Sequence, residues 1–370
     1  MTLGMREWVL LNPGPANTTP TVKQALVMPD LCHREPEFFR LMRECREELV
    51  RLAGGGREFV AVAFTGSGTA AVEAVLCSVV RPDRALLIVD NGVYGRRMAQ
   101  IAQAHQIPAE VVRLDNVTPV SAADVEARLR ARPEVSHVAL VHHETTTGLL
   151  NPVSAVVHVA ARNGRRVIVD AMSSLFGEPL EVGQEGLDFV VASANKCLQG
   201  IAGVAFALCR RTAVEALKGA DPRSVYLDLY SHYVAQEQDN TPFTPAIQVF
   251  HALRQALLEL EAEGVGARVK RYADDARVLR EGMARLGFQI LVPEKGRSNI
   301  LTTFRLLPGL EYEALHDQMK RRGYIIYAGQ GEIRKFAFRV SNMGTLTPAD
   351  MEGVVAAVEA SLIELGVRRP

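Results

Sequence analysis

The spacing of one lysine and one aspartate carries the most chemistry in this chain. Asp170 ends the run Arg166-Val167-Ile168-Val169-Asp170, and Lys196 follows 26 positions later in the turn Ser193-Ala194-Asn195-Lys196-Cys197. An amine can condense with an aldehyde, and a carboxylate can keep a ring nitrogen protonated so that the ring accepts electrons. Pyridoxal phosphate needs both partners. The intervening run 186–193 is apolar and of strand length. Two neighbouring parallel strands are expected, with Asp170 and Lys196 at the carboxyl end of the sheet, where open α/β sheets bind ligands. The competing reading is a surface Asp and a surface Lys with no shared role.

Three further runs bear on the same site. Gly66-Ser67-Gly68-Thr69-Ala70 follows a strand and opens a helix. Small residues there let an anion approach free N–H groups at the positive end of the helix dipole, and Ser67 and Thr69 add hydroxyls. An ordinary helix cap reads the same way. Asn91-Gly92-Val93-Tyr94-Gly95 places one aromatic ring at a strand end, where it could stack on a flat cofactor. His142-His143-Glu144-Thr145-Thr146-Thr147-Gly148 crowds polar groups after another strand. The two histidines point opposite ways on a strand, and no third ligand has suitable spacing, so no metal is expected. Thr145 is the better candidate, as a donor to a cofactor oxygen. One rival class remains: Gly66-x-Gly68-x-x-Ala71 with Asp90 about 20 residues on resembles a dinucleotide fingerprint, which would make the chain a nicotinamide-dependent dehydrogenase.

The elements that must position these residues are legible as alternation. Strands are expected over 59–64, 85–89, 109–114, 137–142, 167–170, 189–192 and 204–209, and helices over 69–80, 95–105, 122–131 and 153–163. Such βαβ units make a mostly parallel sheet with helices on both faces. A charged amphipathic helix over 37–52 precedes them. Beyond 245 come two long helices, 246–264 and 269–286. Short strands then follow at 289–292, 300–304, 324–327 and 336–340, with helices over 312–322 and 348–365. The expected division is a large α/β domain over 16–255 and a smaller α+β domain over 256–370, joined by the N-terminal segment 1–15.

Composition narrows the function classes. The 370 residues are 48% hydrophobic and 23% charged, with 42 basic against 42 acidic side chains. Nucleic acid and anionic membranes are therefore not expected partners. The five cysteines include no C-x-x-C pair, which suits reduced thiols in a cytoplasmic protein. No signal-like segment or membrane-spanning apolar run is read in the chain. Cys197 beside the lysine reads as a packed thiol before a nucleophile.

In this order, the runs resemble the fold-type I pyridoxal-phosphate aminotransferases of the class V branch, from Leu11-Asn12-Pro13-Gly14-Pro15 to Phe338-Arg339-Val340. Ala194-Asn195-Lys196-Cys197 with Gln199-Gly200 looks like the aminoethylphosphonate transaminases, whereas the glyoxylate transaminases usually carry Gln before the lysine. The resemblance implies a seven-stranded large domain, pyridoxal 5'-phosphate as cofactor, and transfer from an amino donor to a 2-oxo acid such as pyruvate. It implies that Lys196 carries the cofactor and Asp170 faces its ring nitrogen, with Ser193 beside them. Ser67, Gly68 and Thr69 would hold the phosphate, Tyr94 would stack, and Thr145 would bond the phenolic oxygen. Arg339 would clamp the substrate acid. Thr244 would reach the neighbouring subunit's cofactor, which implies a homodimer with shared sites. Cys32-His33-Arg34-Glu35-Pro36-Glu37-Phe38 departs toward the glyoxylate-type enzymes. That leaves open the donor, including a hydroxylated aminoethylphosphonate, alanine or serine. A phosphonate dianion calls for a second cation, and Arg34 or His33 is the candidate. A lyase or desulfurase of the same branch is less favoured, since no mobile-loop cysteine is evident.

Overall fold

The sequence folds as its alternation requires; the computed structural model describes residues 8–367. Seven strands share one sheet: β1 (Phe59–Gly66), β2 (Ala85–Asp90), β3 (Ala109–Arg113), β4 (Val135–Val141), β5 (Arg166–Asp170), β6 (Leu187–Ser193) and β7 (Gly203–Arg210). Their spatial order is β1-β7-β6-β5-β4-β2-β3. Strand β7 is antiparallel to both neighbours, and β6, β5, β4, β2 and β3 are mutually parallel. Near-continuous aliphatic strands of this kind belong in a sheet covered on both faces. Alternation within β1 shows the two faces. Ala61 and Ala63 pack with Leu49 of helix Pro36–Leu52, while Val60, Val62 and Phe64 pack with Val72 and Val75 of helix Gly68–Val79.

A third core gathers Leu11, Phe304, Phe338 and Met351. It sits under an antiparallel sheet ordered Leu301–Arg305, Ala337–Ser341, Tyr327–Ala328. The N-terminal strand Val9–Leu10 pairs in parallel with Tyr324–Ile325, so this core is built from both chain ends. Helix Ile247–Glu263 runs unbroken through position 255, and its Phe250, Leu253 and Leu257 pack into the large core.

Two expected elements differ. The strand expected over 289–292 is a single bridge, Ile290 to Phe304. The strand expected over 324–327 is split at Ile326: its first half pairs with the N-terminal strand and its second with Ala337–Ser341. A short apolar run cannot itself specify two partners on different sheets. No helix among the described residues is long and apolar enough to cross a membrane.

Candidate active site

The carboxyl ends of β1, β2, β4, β5 and β6 open onto one cavity of about 200 Å³. Ser67, Gly68 and Thr69 come from the end of β1, Tyr94 follows β2, Thr145 follows β4, and Asp170, Ser193 and Lys196 come from β5 and β6. All eight line this space, so the crossovers bring together what the sequence scatters over some 130 positions.

Asp170 ends β5, and Lys196 lies in the turn just after the adjacent parallel strand β6, with Asp170 in register with Val191. Burial pushes the Asp170 carboxyl up to about 6, against the lowering effect of the Met172 N–H, which donates to Oδ1 at 2.9 Å. The other carboxylate oxygen carries no hydrogen bond among the described residues. Burial also lowers the Lys196 ammonium below the usual lysine range. Its Nζ donates to the Pro13 carbonyl at 2.5 Å. The turn itself is fixed from several sides: Ala16 N–H donates to Asn195 O, Gly200 N–H to Ala194 O, and Arg268 Nη1 to Cys197 O. Gln199 adopts φ 64° there and is held through Nε2 to Tyr272 Oη and Gly344 O.

The anion cradle has the local form its sequence suggests. Ser67 is the N-cap of helix Gly68–Val79, yet its hydroxyl makes no capping bond, leaving it and the N–H groups of Gly68 and Thr69 for a ligand, while Ala70 N–H donates to Ser67 O. Gly68 lets Met172 pack closely, since a Cβ there would meet Met172 Sδ at 2.2 Å and displace that side chain. Met172 lines the same cavity and was not singled out from sequence.

Tyr94 is anchored by Glu144, a residue that sequence reasoning passed over. The fully buried Glu144 carboxylate accepts the N–H groups of Tyr94 at 3.0 Å, Gly95 at 3.4 Å and Thr146 at 3.0 Å, and the Thr146 hydroxyl at 2.6 Å. It therefore caps helix Val93–Ala104 across the turn. Gly92 makes room for it, since a Cβ there would meet Glu144 Cδ at 2.2 Å. A polar residue midway along a Thr-rich run gave the one available signal.

His142 and His143 do face opposite ways. His142 Nδ1 meets Ser174 Oγ at 3.0 Å, whereas His143 lines the cavity with Nδ1 3.2 Å from Ser173 O. Burial holds their pKa values near 4 and 3, so both rings are neutral. Cys197 is fully buried, its thiol is pushed up by burial, and Sγ donates to Ser173 O at 3.3 Å: it is packed rather than poised as a nucleophile.

Arg339 reaches the rim rather than the lining. Its Nη1 donates to Thr145 O at 2.8 Å and Nε to Ala328 O at 2.9 Å, leaving Nη2 without a hydrogen bond among the described residues. Arg34 and Thr244 lie elsewhere in this single chain. Arg34 is exposed and donates to Asn240 Oδ1 and to Thr241 O, and Thr244 is exposed beside Phe243 and Tyr226. The arginine that does line the cavity is Arg97.

The dinucleotide reading fails on topology. Strands β1 and β2 are separated by β7, β6, β5 and β4, so Asp90 cannot sit beside the Gly66-x-Gly68 turn as a ribose-binding acid must. A larger cavity of about 760 Å³ lies between helix Pro36–Leu52 and the outer edge of β1. Four of its five lining arginines, 43, 46, 51 and 211, are ion-paired to Glu or Asp, with Arg57 the exception among the described residues, so it holds mainly a structural charge network.

The model of the family "Aminotransferase class-V" matches residues 20–339. The chain is 39% identical over 362 residues to the 2-aminoethylphosphonate–pyruvate transaminase of Vibrio vulnificus, covering 96% of this chain and 98% of that one. Among solved structures, an alanine–glyoxylate aminotransferase from Nostoc sp. superposes with a TM-score of 0.92 at 26% identity, over 98% of this chain and 97% of the other. A ureidoglycine–glyoxylate aminotransferase from Bacillus subtilis gives 0.93 at 23% identity, over 100% and 96%.

Proposed function

The chain belongs to the class-V aminotransferase family, and from that premise we propose that it transfers the amino group of 2-aminoethylphosphonate to pyruvate, with pyridoxal 5'-phosphate as cofactor. It is an aminotransferase, and its fold is the type I fold of pyridoxal-phosphate enzymes, as the resemblance implied. The observation that carries the reading is the convergence of Lys196, Asp170 and the Ser67–Thr69 cradle on one small cavity.

The residues present fit the cofactor. Lys196 supplies the amine that would hold it, Asp170 a buried carboxylate with one oxygen free, and Ser67, Gly68 and Thr69 an anion cradle. Tyr94 and Met172 give flat or apolar walls, with Thr145 and Ser193 between them. When bound, pyridoxal phosphate supplies an electron sink at a protonated ring. Asp170 keeps that ring charged, because a cation beside it draws its raised pKa back down. Lys196 Nζ is the group placed to take a proton and return it, and its burial favours the free amine needed for the first of these acts. Arg339 offers a planar fork suited to carboxylate and phosphonate alike, so one residue serves donor and acceptor in turn.

The reading includes a homodimer, in which Thr244 and Arg34 serve the neighbouring subunit's cavity, and a cytoplasmic location. Exposure of both residues supports the first, and five free cysteines support the second. A half-reaction screen tests the donor. The yellow, cofactor-loaded protein is mixed with 2-aminoethylphosphonate, its hydroxylated analogue, alanine or serine, and its absorbance followed. Bleaching by the phosphonate ahead of serine is expected; bleaching by alanine or serine alone, reversed by glyoxylate, overturns the phosphonate assignment.

A further inference from the structure

We propose that Arg97 is a phosphoryl-anion ligand of the active-site cavity; this rests on reading that cavity as a pyridoxal-phosphate aminotransferase site. Arg97 lies on helix Val93–Ala104, three residues after Tyr94, and lines the same space as Thr69, Asp170 and Lys196. Its guanidinium carbon stands 4.9 Å from the Tyr94 ring centroid, and Nη1 donates to Thr69 Oγ1 at 3.2 Å. Stacking fixes the plane of the fork and leaves its remaining N–H groups available.

The Asp170 carboxylate in the same cavity feels the charge of Arg97, but no carboxylate comes within ion-pair distance of it among the described residues. Among the described residues Arg97 has no other hydrogen bond and no ion pair. Some little-exposed arginines of this chain meet carboxylates, Arg46 with Glu237 and Arg268 and Arg271 with Glu263, whereas Arg97 shares with the buried Arg339 the absence of an ion pair among the described residues. The preceding residue, Arg96, faces Asp90 at 3.8 Å. Arg97 instead touches Thr69 in the first turn of helix Gly68–Val79, so a guanidinium and a positive helix end stand side by side. The two repel until an anion joins them, and a phosphoryl group with several oxygens can bridge both. The same chemistry comes from two sources, the phosphate of the cofactor and the phosphonate of the donor.

Paired titrations separate them. For wild type, Arg97→Gln and Arg97→Lys, cofactor-free protein is titrated with pyridoxal 5'-phosphate and with pyridoxal, and loaded protein with 2-aminoethylphosphonate and with alanine. A cofactor-phosphate ligand predicts that Arg97→Gln weakens pyridoxal phosphate roughly tenfold or more while pyridoxal moves less than twofold. A donor ligand predicts the same split between the phosphonate and alanine. In either case Arg97→Lys regains part of the loss. Equal shifts within both pairs, or none beyond twofold, overturn the proposal. If 2-aminoethylphosphonate fails to bleach the wild-type enzyme, the donor reading falls, and the cofactor pair alone decides Arg97. Should the variants not fold, cofactor-free wild type is treated with phenylglyoxal with and without inorganic phosphate. Protection of Arg97 by phosphate, mapped by mass spectrometry, supports the assignment, and equal labelling overturns it.

Discussion

Two polar regions near the carboxyl edge of the sheet are built on opposite plans. The cavity around Asp170 and Lys196 is enclosed, and each of its groups is set by a strand end of the same chain. The patch around Arg34, Asn240, Thr241 and Thr244 is largely open, held by single side-chain contacts between distant segments. The first can support chemistry from one chain's atoms. The second is the surface we propose to complete a neighbouring subunit's cavity. A family motif thus marks residues of two kinds, and only geometry separates them.

The largest expected effect tests the enclosed region. Lys196→Ala removes the one amine of the cavity positioned to move a proton, and amino transfer should fall by about 10³-fold or more in a coupled alanine-release assay. Residual turnover within tenfold of wild type would remove Lys196 from the chemistry. Asp170→Ala should cost less, about 3 kcal/mol or roughly 100-fold, the size of one buried charge-assisted contact. Its measure is the first-order bleaching rate at saturating donor.

The open region is tested by subunit mixing. If Thr244 serves a neighbour's cavity, Thr244→Ala should lose about tenfold, one charge-assisted hydrogen bond. Mixing it with Lys196→Ala protein should then restore activity, because each hybrid dimer contains one intact site. Activity that stays at the sum of the two variants would place Thr244 with its own chain, and the contrast between the regions would fail. Arg34→Ala should harm the phosphonate half-reaction more than the alanine one, and equal losses would separate Arg34 from phosphonate binding.

How far the sequence carried follows the same contrast. The strands could be read because each is aliphatic and ends in turn residues; helix 122–131 matched at both ends, Ala122–Ala131. Asp170, Lys196, Ser67 and Tyr94 could be read because they sit at strand ends or helix starts, where topology alone fixes their direction. Glu144 and Arg97 could not. Each acts through a partner distant in sequence, the backbone of Tyr94 for one and the hydroxyl of Thr69 for the other. Glu263 shows the same limit: at the end of helix Ile247–Glu263, it pairs with both Arg268 and Arg271 of the next helix. Periodicity reports which face of a helix is polar and says nothing of what that face meets.

A pH experiment sharpens the account of the cavity. Burial raises Asp170 to about 6 in the ligand-free chain. A cationic ring favours the ionised carboxylate, so cofactor affinity should fall as pH drops below about 6, by up to tenfold per unit. Equilibrium titration between pH 5 and 8 reads this directly, and Asp170→Asn should flatten that part of the profile. A slope unchanged by the substitution would move the titrating group elsewhere.

The smallest effect is on stability and sets the cavity against a site remote from it. His143 lines the cavity and His137 lies at the amino end of the same sheet, yet burial holds both near pKa 3. Each is lowered on folding, so the unfolded chain takes up protons below about 6.5 while the folded chain resists. The stability these rings contribute is full above that pH and is lost as pH falls toward 3. At pH 5 the loss is about 2 kcal/mol per ring. Asp170, raised on folding, works in the opposite sense between 3.8 and about 6. Urea midpoints at pH 7 and 5 should therefore show a shallower acid loss for His137→Gln than for wild type, and the same for His143→Gln. Cofactor should leave the His137 difference unchanged and alter the His143 one, because only the second ring borders the ligand. If cofactor changed both equally, the cavity would be coupled to the far edge of the sheet, and the enclosed region would not be self-contained.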